Sequence, residues 1–240
     1  MLYEQKMLDE VTKWKLQLQK KSTMFQRISK GAQNKVNSMI PEKVHAVMRE
    51  SIKKMVQATL VGSNITTKNR EGINYLSLEE KEKLVQEKLD FYKRTAAVEG
   101  AGTGAGGILL GLADFPLLLS IKMKFLFEVA SIYGYNVKEY EERVYILYIF
   151  QLAFSGEDHR RHVLGYLEEW EKNKEDITEL DWQTFQQEYR DYIDLIKMLQ
   201  MIPGFGAIVG AYANYNFLDH LGKTAVNCYR MRYLKDKGIM

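Results

Sequence analysis

Two carboxylates in apolar surroundings are the residues of this sequence with the clearest chemical potential. Glu99 and Asp114 border a glycine-rich apolar stretch, and Asn214 lies in a second apolar stretch. A buried carboxylate must be paired, hydrogen-bonded or protonated. We therefore expect Glu99, Asp114 and Asn214 to form a buried polar cluster with a structural role. The alternative is a metal- or carboxylate-dependent hydrolase that uses Glu99 and Asp114.

The histidines and the cysteine form no recognisable catalytic pattern. His159 and His162 are three residues apart, a spacing that presents two imidazoles on one helix face. Arg160 and Arg161 lie between them and disfavour a bound cation, so we predict an exposed helix start. His45, His220 and Cys228 lack a nucleophile motif. We therefore assign no catalytic residue, no metal site and no cofactor, and expect a binding or accessory protein rather than an enzyme.

A glycine-rich motif at residues 102–107 matches the Gly-x-Gly-x-x-Gly pattern of dinucleotide-binding proteins. That fingerprint requires a strand immediately before it. The residues before it, 89–99, instead form a charged segment with helical spacing. The sequence therefore does not predict nucleotide binding.

Glycines also recur at helical spacing in both apolar stretches. The first stretch contains Gly100, Gly104, Gly107 and Gly111, and the second contains Gly206 and Gly210. The first four are spaced by four, three and four residues and so share one helix face. Each glycine in a helix costs about 1 kcal/mol relative to alanine, and close approach of another helix can compensate. We predict tight helix packing there, with a membrane-inserted glycine hairpin as the alternative.

Helical periodicity extends along most of the chain. Capping patterns at Ser77–Glu80 and Asn136–Glu139 predict helix starts, and Gly62 and Gly134 predict helix ends. Sustained two-residue alternation, the pattern of a strand, does not occur. Predicted helices after the capping patterns include 144–154, 157–172, 182–201 and 205–234. We predict one all-α, multi-helix domain over residues 1–240, with an exposed loop at 62–76.

Two long segments raise the question of a membrane span. Residues 198–218 carry no formal charge, and residues 100–121 carry only Asp114. Their lengths permit a span, but a carboxylate at mid-bilayer depth costs about 2.5 to 3.5 kcal/mol. Pro116 and Pro203 interrupt the segments as well. We predict peripheral attachment to a membrane rather than spanning.

Positive charge is concentrated in the first quarter of the chain. Residues 1–60 contain 12 lysines and arginines against 5 acidic residues, although the whole chain carries only +3. This basic, amphipathic helical part suits an anionic membrane surface or nucleic acid, and a solvated helix face is the other interpretation. The candidate membrane-facing residues are Trp14, Lys20, Lys21, Phe25 and Arg27. A single cysteine suits a reducing compartment, so we expect a cytoplasmic protein, peripheral at the inner face of the membrane, with no nucleic-acid partner.

Several segments, in their order along the chain, resemble the EcsC family of bacterial proteins. They are residues 40–46, 99–107, 112–116, 132–135, 202–207, 214–215 and 229–232. The resemblance covers about residues 10 to 235. It implies an accessory protein linked to the cell envelope, from a family named after an operon that also encodes an ABC transporter. It implies no catalytic residues, and a membrane-protein partner is the second expectation beside the anionic surface.

Overall fold

The computed structural model describes residues 2–19, 42–62, 72–104, 115–155, 157–174 and 207–240. These residues form eight α-helices and one short 3₁₀ turn, and the described part contains no strand. The helices are α1 (Leu2–Gln19), α2 (Glu42–Val61), α3 (Leu78–Gly104), α4 (Phe115–Tyr133), α5 (Tyr140–Phe154), α6 (Glu157–Glu168), α7 (Trp170–Asn173) and α8 (Ala207–Asp236). The all-α prediction is confirmed.

The two longest helices, α3 and α8, make the most extensive contact in the structure and run antiparallel. Three contacts along the pair show the direction: Lys93 with Asp219, Leu89 with Gly222, and Glu82 with Arg230. Helix α4 also runs antiparallel to α3, since Lys88 contacts Glu128 and Tyr92 packs on Phe125. The C-terminal half of α3 therefore lies level with the N-terminal parts of α4 and α8.

This arrangement defines two ends of the bundle. The glycine-rich end comprises residues 91–104 of α3, 115–124 of α4 and 207–219 of α8. The arginine end comprises residues 78–89 of α3, 126–133 of α4, 140–145 of α5 and 225–236 of α8. Helix α5 lies in the interior, and every residue from Val144 to Phe154 except Tyr148 is buried.

Local capping follows the sequence closely at two helix ends. The amide of Ser77 donates to Glu80 Oε2 at 2.8 Å, and the amide of Glu80 donates back to Ser77 Oγ at 3.3 Å. This reciprocal pair is the predicted capping box. Helix α4 ends at Gly134, which has φ of 100°, and the amides of Gly134 and Tyr135 both donate to the Ala130 carbonyl. Glycine is suited to this left-handed backbone because it has no Cβ.

The second capping prediction is wrong in its position. Helix α5 begins at Tyr140 with Glu139 as its N-cap residue. Asn136 instead stabilises its own turn, because its Oδ1 accepts from the Lys138 amide and its Nδ2 donates to Glu139 Oε1. Asparagine makes such local side-chain bonds outside helices as readily as it caps them.

Two other expected segments differ in detail. The predicted helix 157–172 divides into α6 and α7, because Glu169 has a non-helical backbone and the chain turns to bury Trp170. The predicted loop 62–76 contains a 3₁₀ turn at Ile73–Tyr75, in which Ile73 is buried. The rest of that loop, residues 63–71, and the predicted helix 182–201 lie outside the described residues.

Candidate functional site

The glycine-rich end holds the described members of the predicted polar cluster. Asn214 on α8 is buried, whereas Glu99 on α3 is half-buried. The α3–α8 register, in which Lys93 meets Asp219, places these two residues at the same level along the bundle. Asp114 lies outside the described residues. The three-residue cluster therefore stays a prediction, supported in its placement by the shared level of Glu99 and Asn214.

The predicted glycine stripe falls partly in the same region. Gly100 and Gly104 belong to the last turns of α3, and Gly210 belongs to the first turn of α8. Gly107, Gly111 and Gly206 lie outside the described residues. The antiparallel register brings the end of α3 level with the start of α8, so close packing through these glycines remains a prediction.

A glycine further along α8 shows how closely the two helices approach. A Cβ added to Gly222 would lie 2.6 Å from Cδ1 of Leu89 on α3. Real Cβ atoms do not make contacts this short, so any larger residue at position 222 requires Leu89 to move. Gly222 has no second glycine at four-residue spacing, so the sequence pattern does not indicate this close approach.

Lys93 is the best-compensated charge at the glycine-rich end. Its ammonium lies 2.6 Å from Asp219 Oδ1 and 4.3 Å from the centre of the Tyr215 ring. Burial opposes the charge on Lys93, but hydrogen bonds to Asp219 and Tyr215 outweigh it and raise its pKa. Asp219 also pairs with Lys223 at 2.7 Å. These contacts join α3 to α8, and both carboxylate oxygens of Asp219 are paired with a lysine.

Lys122 on α4 is different, because it is buried without an opposite charge. Its side chain is only 4% exposed, and its ammonium contacts the Leu118 carbonyl at 3.4 Å. In the described part of the chain no carboxylate lies within ion-pair distance of Lys122. Burial therefore lowers the pKa of Lys122 from 10.5 to about 8. An amine with such a pKa can bind or release a proton close to neutral pH.

Sequence reasoning missed Lys122, although a signal was present. The residue lies on the core-facing stripe of α4 with Phe115, Leu118, Leu119 and Leu126, all of which are buried. A lysine at a core position of an apolar helix is unusual and marks the position for attention. In the sequence, Lys122 interrupts the apolar pattern of this helix, which favours an exposed position over a buried one.

Exposed apolar side chains also occur at the glycine-rich end. Phe91 and Val98 on α3 are 61% and 72% exposed, and Leu117 on α4 and Tyr215 on α8 are 46% and 40% exposed. We call these four residues the apolar rim. The exposed cations Arg94 and Lys124 lie on the same helices. An apolar rim accompanied by cations is the kind of surface that contacts a lipid interface.

The arginine end carries a network that the sequence analysis did not predict. Arg230 forms a two-point pair with Glu82, with Nε–Oε1 and Nη2–Oε2 distances of 2.5 and 2.6 Å. Its Nη1 also donates to Glu10 of α1 at 2.9 Å. The Tyr3 hydroxyl donates to Glu82 at 2.6 Å. The network therefore ties the N-terminal helix to the α3–α8 pair.

Arg232, two residues further along α8, forms a second such centre. It contacts Glu142 at 2.5 Å and Glu171 at 3.1 Å, and its guanidinium lies 4.0 Å from the centre of the Tyr135 ring. Burial raises the pKa of Glu142, although Arg232 and the Tyr229 hydroxyl oppose the rise. Arg232 and Glu142 thus neutralise each other, as a structural network requires.

The other candidate residues have the following positions. Trp14 packs partly buried against the hydrophobic core, together with the buried Met7 and Val11 of α1. Part of the Trp14 side chain is therefore packed on the bundle and part is accessible, and its contact with a membrane stays a prediction. Lys20, Lys21, Phe25 and Arg27 lie outside the described residues.

The histidine pair forms no metal centre in the described part of the chain. His162 is exposed, and Nε2 of His159 contacts Gln151. Among the described residues no group of three or more histidine, cysteine or acidic side chains is placed to hold a metal ion. None of the helices described is both long and apolar enough to cross a membrane.

Comparison with known proteins shows the family of this chain. The model of the EcsC protein family matches residues 5–234. The chain therefore belongs to the EcsC family. It is 51% identical over 232 residues to Protein EcsC of Bacillus subtilis (strain 168), covering 97% of each chain. It is 24% identical to the uncharacterized protein YdbA of the same organism, covering 96% of this chain and 92% of YdbA. No solved structure matches the chain.

Proposed function

We propose that this protein is a membrane-peripheral accessory protein that contacts an anionic bilayer through its glycine-rich end. The observation that carries the proposal is the apolar rim: Val98, Leu117 and Tyr215 are exposed on three helices near one level of the bundle, and Phe91 is exposed two turns away from Val98 on α3. Two of these helices lead directly into the apolar stretches around residues 105–114 and 198–206.

Charge supports the same interaction. Arg94 lies between Phe91 and Val98 on the exposed side of α3, and Lys124 is exposed on α4. A basic residue near an anionic surface contributes about 1 kcal/mol, so a few such residues with partly inserted apolar side chains give reversible attachment. The basic first quarter of the chain adds to this attraction, with Arg49, Lys53 and Lys54 exposed on α2.

The partner at the membrane is the second part of the proposal. We propose that the protein acts beside a membrane protein of a cell-envelope or ABC-transporter-associated process, in an accessory role without catalysis. Support for this setting comes from the family resemblance alone. Affinity capture from separately solubilised membranes and from cytosol tests it, and specific capture of membrane proteins is the expected result.

Vesicle sedimentation tests the bilayer contact. The full chain is mixed with phosphatidylglycerol vesicles or with neutral phosphatidylcholine vesicles, at low and high salt. We expect binding to the anionic vesicles that weakens as salt screens the charges. The double substitution Phe91→Gln and Val98→Gln removes half of the apolar rim and should weaken binding severalfold.

A matched control uses exposed apolar residues outside the glycine-rich end. Leu16 on α1 and Val61 at the end of α2 are 56% and 78% exposed. Leu16→Gln with Val61→Gln changes the same number of exposed apolar side chains and should leave vesicle binding unchanged. Equal losses in both double variants would contradict a contact made by the glycine-rich end, and absence of wild-type binding would reject the bilayer partner itself.

A further inference from the structure

A groove of about 550 Å³ lies between α2 and the first turns of α4. We call it the α2–α4 groove. Its apolar lining comes from Ala46, Val47, Met55 and Ala58 of α2 and from Pro116 of α4. The volume falls within the range of ligand sites in proteins, which are mostly apolar as well. The α4 wall belongs to the glycine-rich end, so the groove adjoins the proposed membrane contact.

Two serines in the groove use their hydroxyl protons within their own helices. Ser51 Oγ donates to the Val47 carbonyl at 2.8 Å, and Ser120 Oγ donates to the Pro116 carbonyl at 2.9 Å. A hydroxyl has only one proton to donate, so neither serine has a second one for a ligand. The lining therefore suits an apolar group better than a group that needs hydrogen-bond donors.

Cations border the α2–α4 groove on both helices. On α2, Arg49, Lys53 and Lys54 are exposed, and Glu50 is the one acidic residue in the same stretch of sequence. The Lys54 ammonium lies 3.7 Å from Glu50, but both side chains are more than half exposed, so this pair holds Lys54 only weakly. On α4, Lys124 is exposed one turn beyond the groove wall. An apolar groove bordered by net positive charge is complementary to an apolar chain with an anionic head.

We propose that the α2–α4 groove binds one acyl chain of an anionic phospholipid, whose headgroup lies against the bordering cations. The inference rests on the proposed membrane contact, which supplies the lipid, and it names a binding site for a single lipid molecule beside that contact. Leu117 of the apolar rim directly follows Pro116 of the groove wall in the sequence, so the two apolar surfaces are adjacent.

Titration calorimetry of the full chain with short-chain phosphatidylglycerol tests the proposal. The lipid is kept below the concentration at which it forms micelles, so that no bilayer is present. We expect saturable binding of one molecule per chain. Dioctanoyl-phosphatidylglycerol has two more CH₂ groups in each chain than the dihexanoyl lipid, and burial of both in the groove should tighten binding about 15-fold. Dioctanoyl-phosphatidylcholine, whose headgroup has no net charge, should bind about fivefold more weakly or worse.

Substitutions that fill the groove test its position. Ala58→Leu and Ser120→Leu enlarge a side chain on opposite walls, and each should weaken dioctanoyl-phosphatidylglycerol binding about fivefold or more. Gln57→Leu is the matched control, since Gln57 is exposed on α2 outside the groove wall and should leave the affinity unchanged. Circular dichroism verifies that each variant is folded. The proposal is overturned if neither lipid binds saturably, if chain length has no effect, or if the control weakens binding as much as the filling variants.

The rim variant Phe91→Gln with Val98→Gln distinguishes this site from the membrane contact. Neither residue lines the groove, so the double variant should lose vesicle binding and keep its affinity for the monomeric lipid. Monomer binding by a wild-type chain that fails to bind vesicles would reject the membrane contact and support the groove. Vesicle binding without monomer binding would overturn the groove and leave the membrane contact standing.

Discussion

Two regions of the bundle, the arginine network and the surroundings of Lys122, treat buried positive charge in opposite ways. At the arginine end, Arg230 and Arg232 are each held by two carboxylates, and tyrosine hydroxyls complete the hydrogen bonding of Glu82 and Glu142. At the glycine-rich end, Lys122 is buried against a backbone carbonyl alone in the part of the chain that the structure describes. The arginines are fully paired and serve the structure, whereas the charge on Lys122 lowers the stability of the fold.

A buried lysine held by a backbone carbonyl does not by itself distinguish the two ends, because Lys81 at the arginine end is also buried and donates to the Tyr133 carbonyl. Proteins tolerate destabilising arrangements mainly where a ligand, partner or reaction requires them. The glycine-rich end combines the uncompensated Lys122 with the exposed side chains of the apolar rim. The arginine end instead anchors α1, α3, α5 and α8 to one another. Removal of the charge on Arg232 should therefore destabilise the fold, whereas removal of the charge on Lys122 should stabilise it.

The largest expected effect comes from Arg232→Met. This change leaves the buried Glu142 without its guanidinium, and breaking one side of a buried pair costs about 3 to 5 kcal/mol. Urea unfolding followed by circular dichroism measures the loss. Arg94→Met is the matched control, since Arg94 is exposed on α3 and should change stability by no more than about 0.5 kcal/mol. Similar stabilities for the two variants would contradict a structural role for the Arg232 network.

Lys122→Met should have the opposite sign. A pKa lowered from 10.5 to about 8 corresponds to roughly 3 kcal/mol against the charged form, so removal of the ammonium should stabilise the fold by about 1 to 3 kcal/mol. Lys124→Met, on the exposed side of the same helix, should be close to neutral. Destabilisation by Lys122→Met would mean that another group compensates the charge.

The pH dependence of that stability difference provides a second measurement on the same proteins. Between about pH 8 and 10 the unfolded chain still binds a proton at Lys122, whereas the folded chain has lost it. Wild-type stability relative to Lys122→Met should therefore increase as pH rises through this range. Buried tyrosines and Cys228 titrate in both proteins, so their contributions cancel in the difference. A flat difference would show that Lys122 keeps its ordinary pKa.

A smaller effect is expected where α3 and α8 approach each other. Gly222→Ala places a Cβ against Leu89, and the overpacking cost of about 1 to 3 kcal/mol should exceed the gain of about 1 kcal/mol in helix propensity. Gly165→Ala on α6 meets no atom within 4 Å and should stabilise by about 1 kcal/mol. Thermal melts of both variants compare the two positions. Stabilisation by both would contradict this prediction and show that the Leu89 side chain moves aside at little cost.

Short-range patterns predicted much of the fold. The capping box at Ser77–Glu80, the glycine stop at Gly134 and the buried stripe of Met7 and Val11 depend on residues within a few positions of one another. The capping pattern at Asn136 gave the wrong helix start, because the Asn136 side chain hydrogen-bonds within its own turn. Trp14 has the same helical spacing as Met7 and Val11, and it packs partly buried against the core.

The candidate site was less accessible to sequence reasoning, because its geometry depends on long-range contacts. Glu82 and Arg230 are 148 residues apart, and nothing in either segment identifies the other as its partner. A charged residue in a sequence is ordinarily expected to face solvent. The burial of Lys122 among apolar residues of α4 was therefore not predicted. The cluster of Glu99, Asp114 and Asn214 stays a prediction, because Asp114 lies outside the described residues.

Hydrogen–deuterium exchange of the full chain with phosphatidylglycerol vesicles tests most directly whether the glycine-rich end is the functional end. Exchange is compared with that in phosphatidylcholine vesicles and without lipid. We predict slower exchange at residues 91–104 and 115–124 with the anionic vesicles, and unchanged exchange at residues 225–236 of the arginine end. Protection confined to the arginine end, or equal at the two ends, would contradict the account.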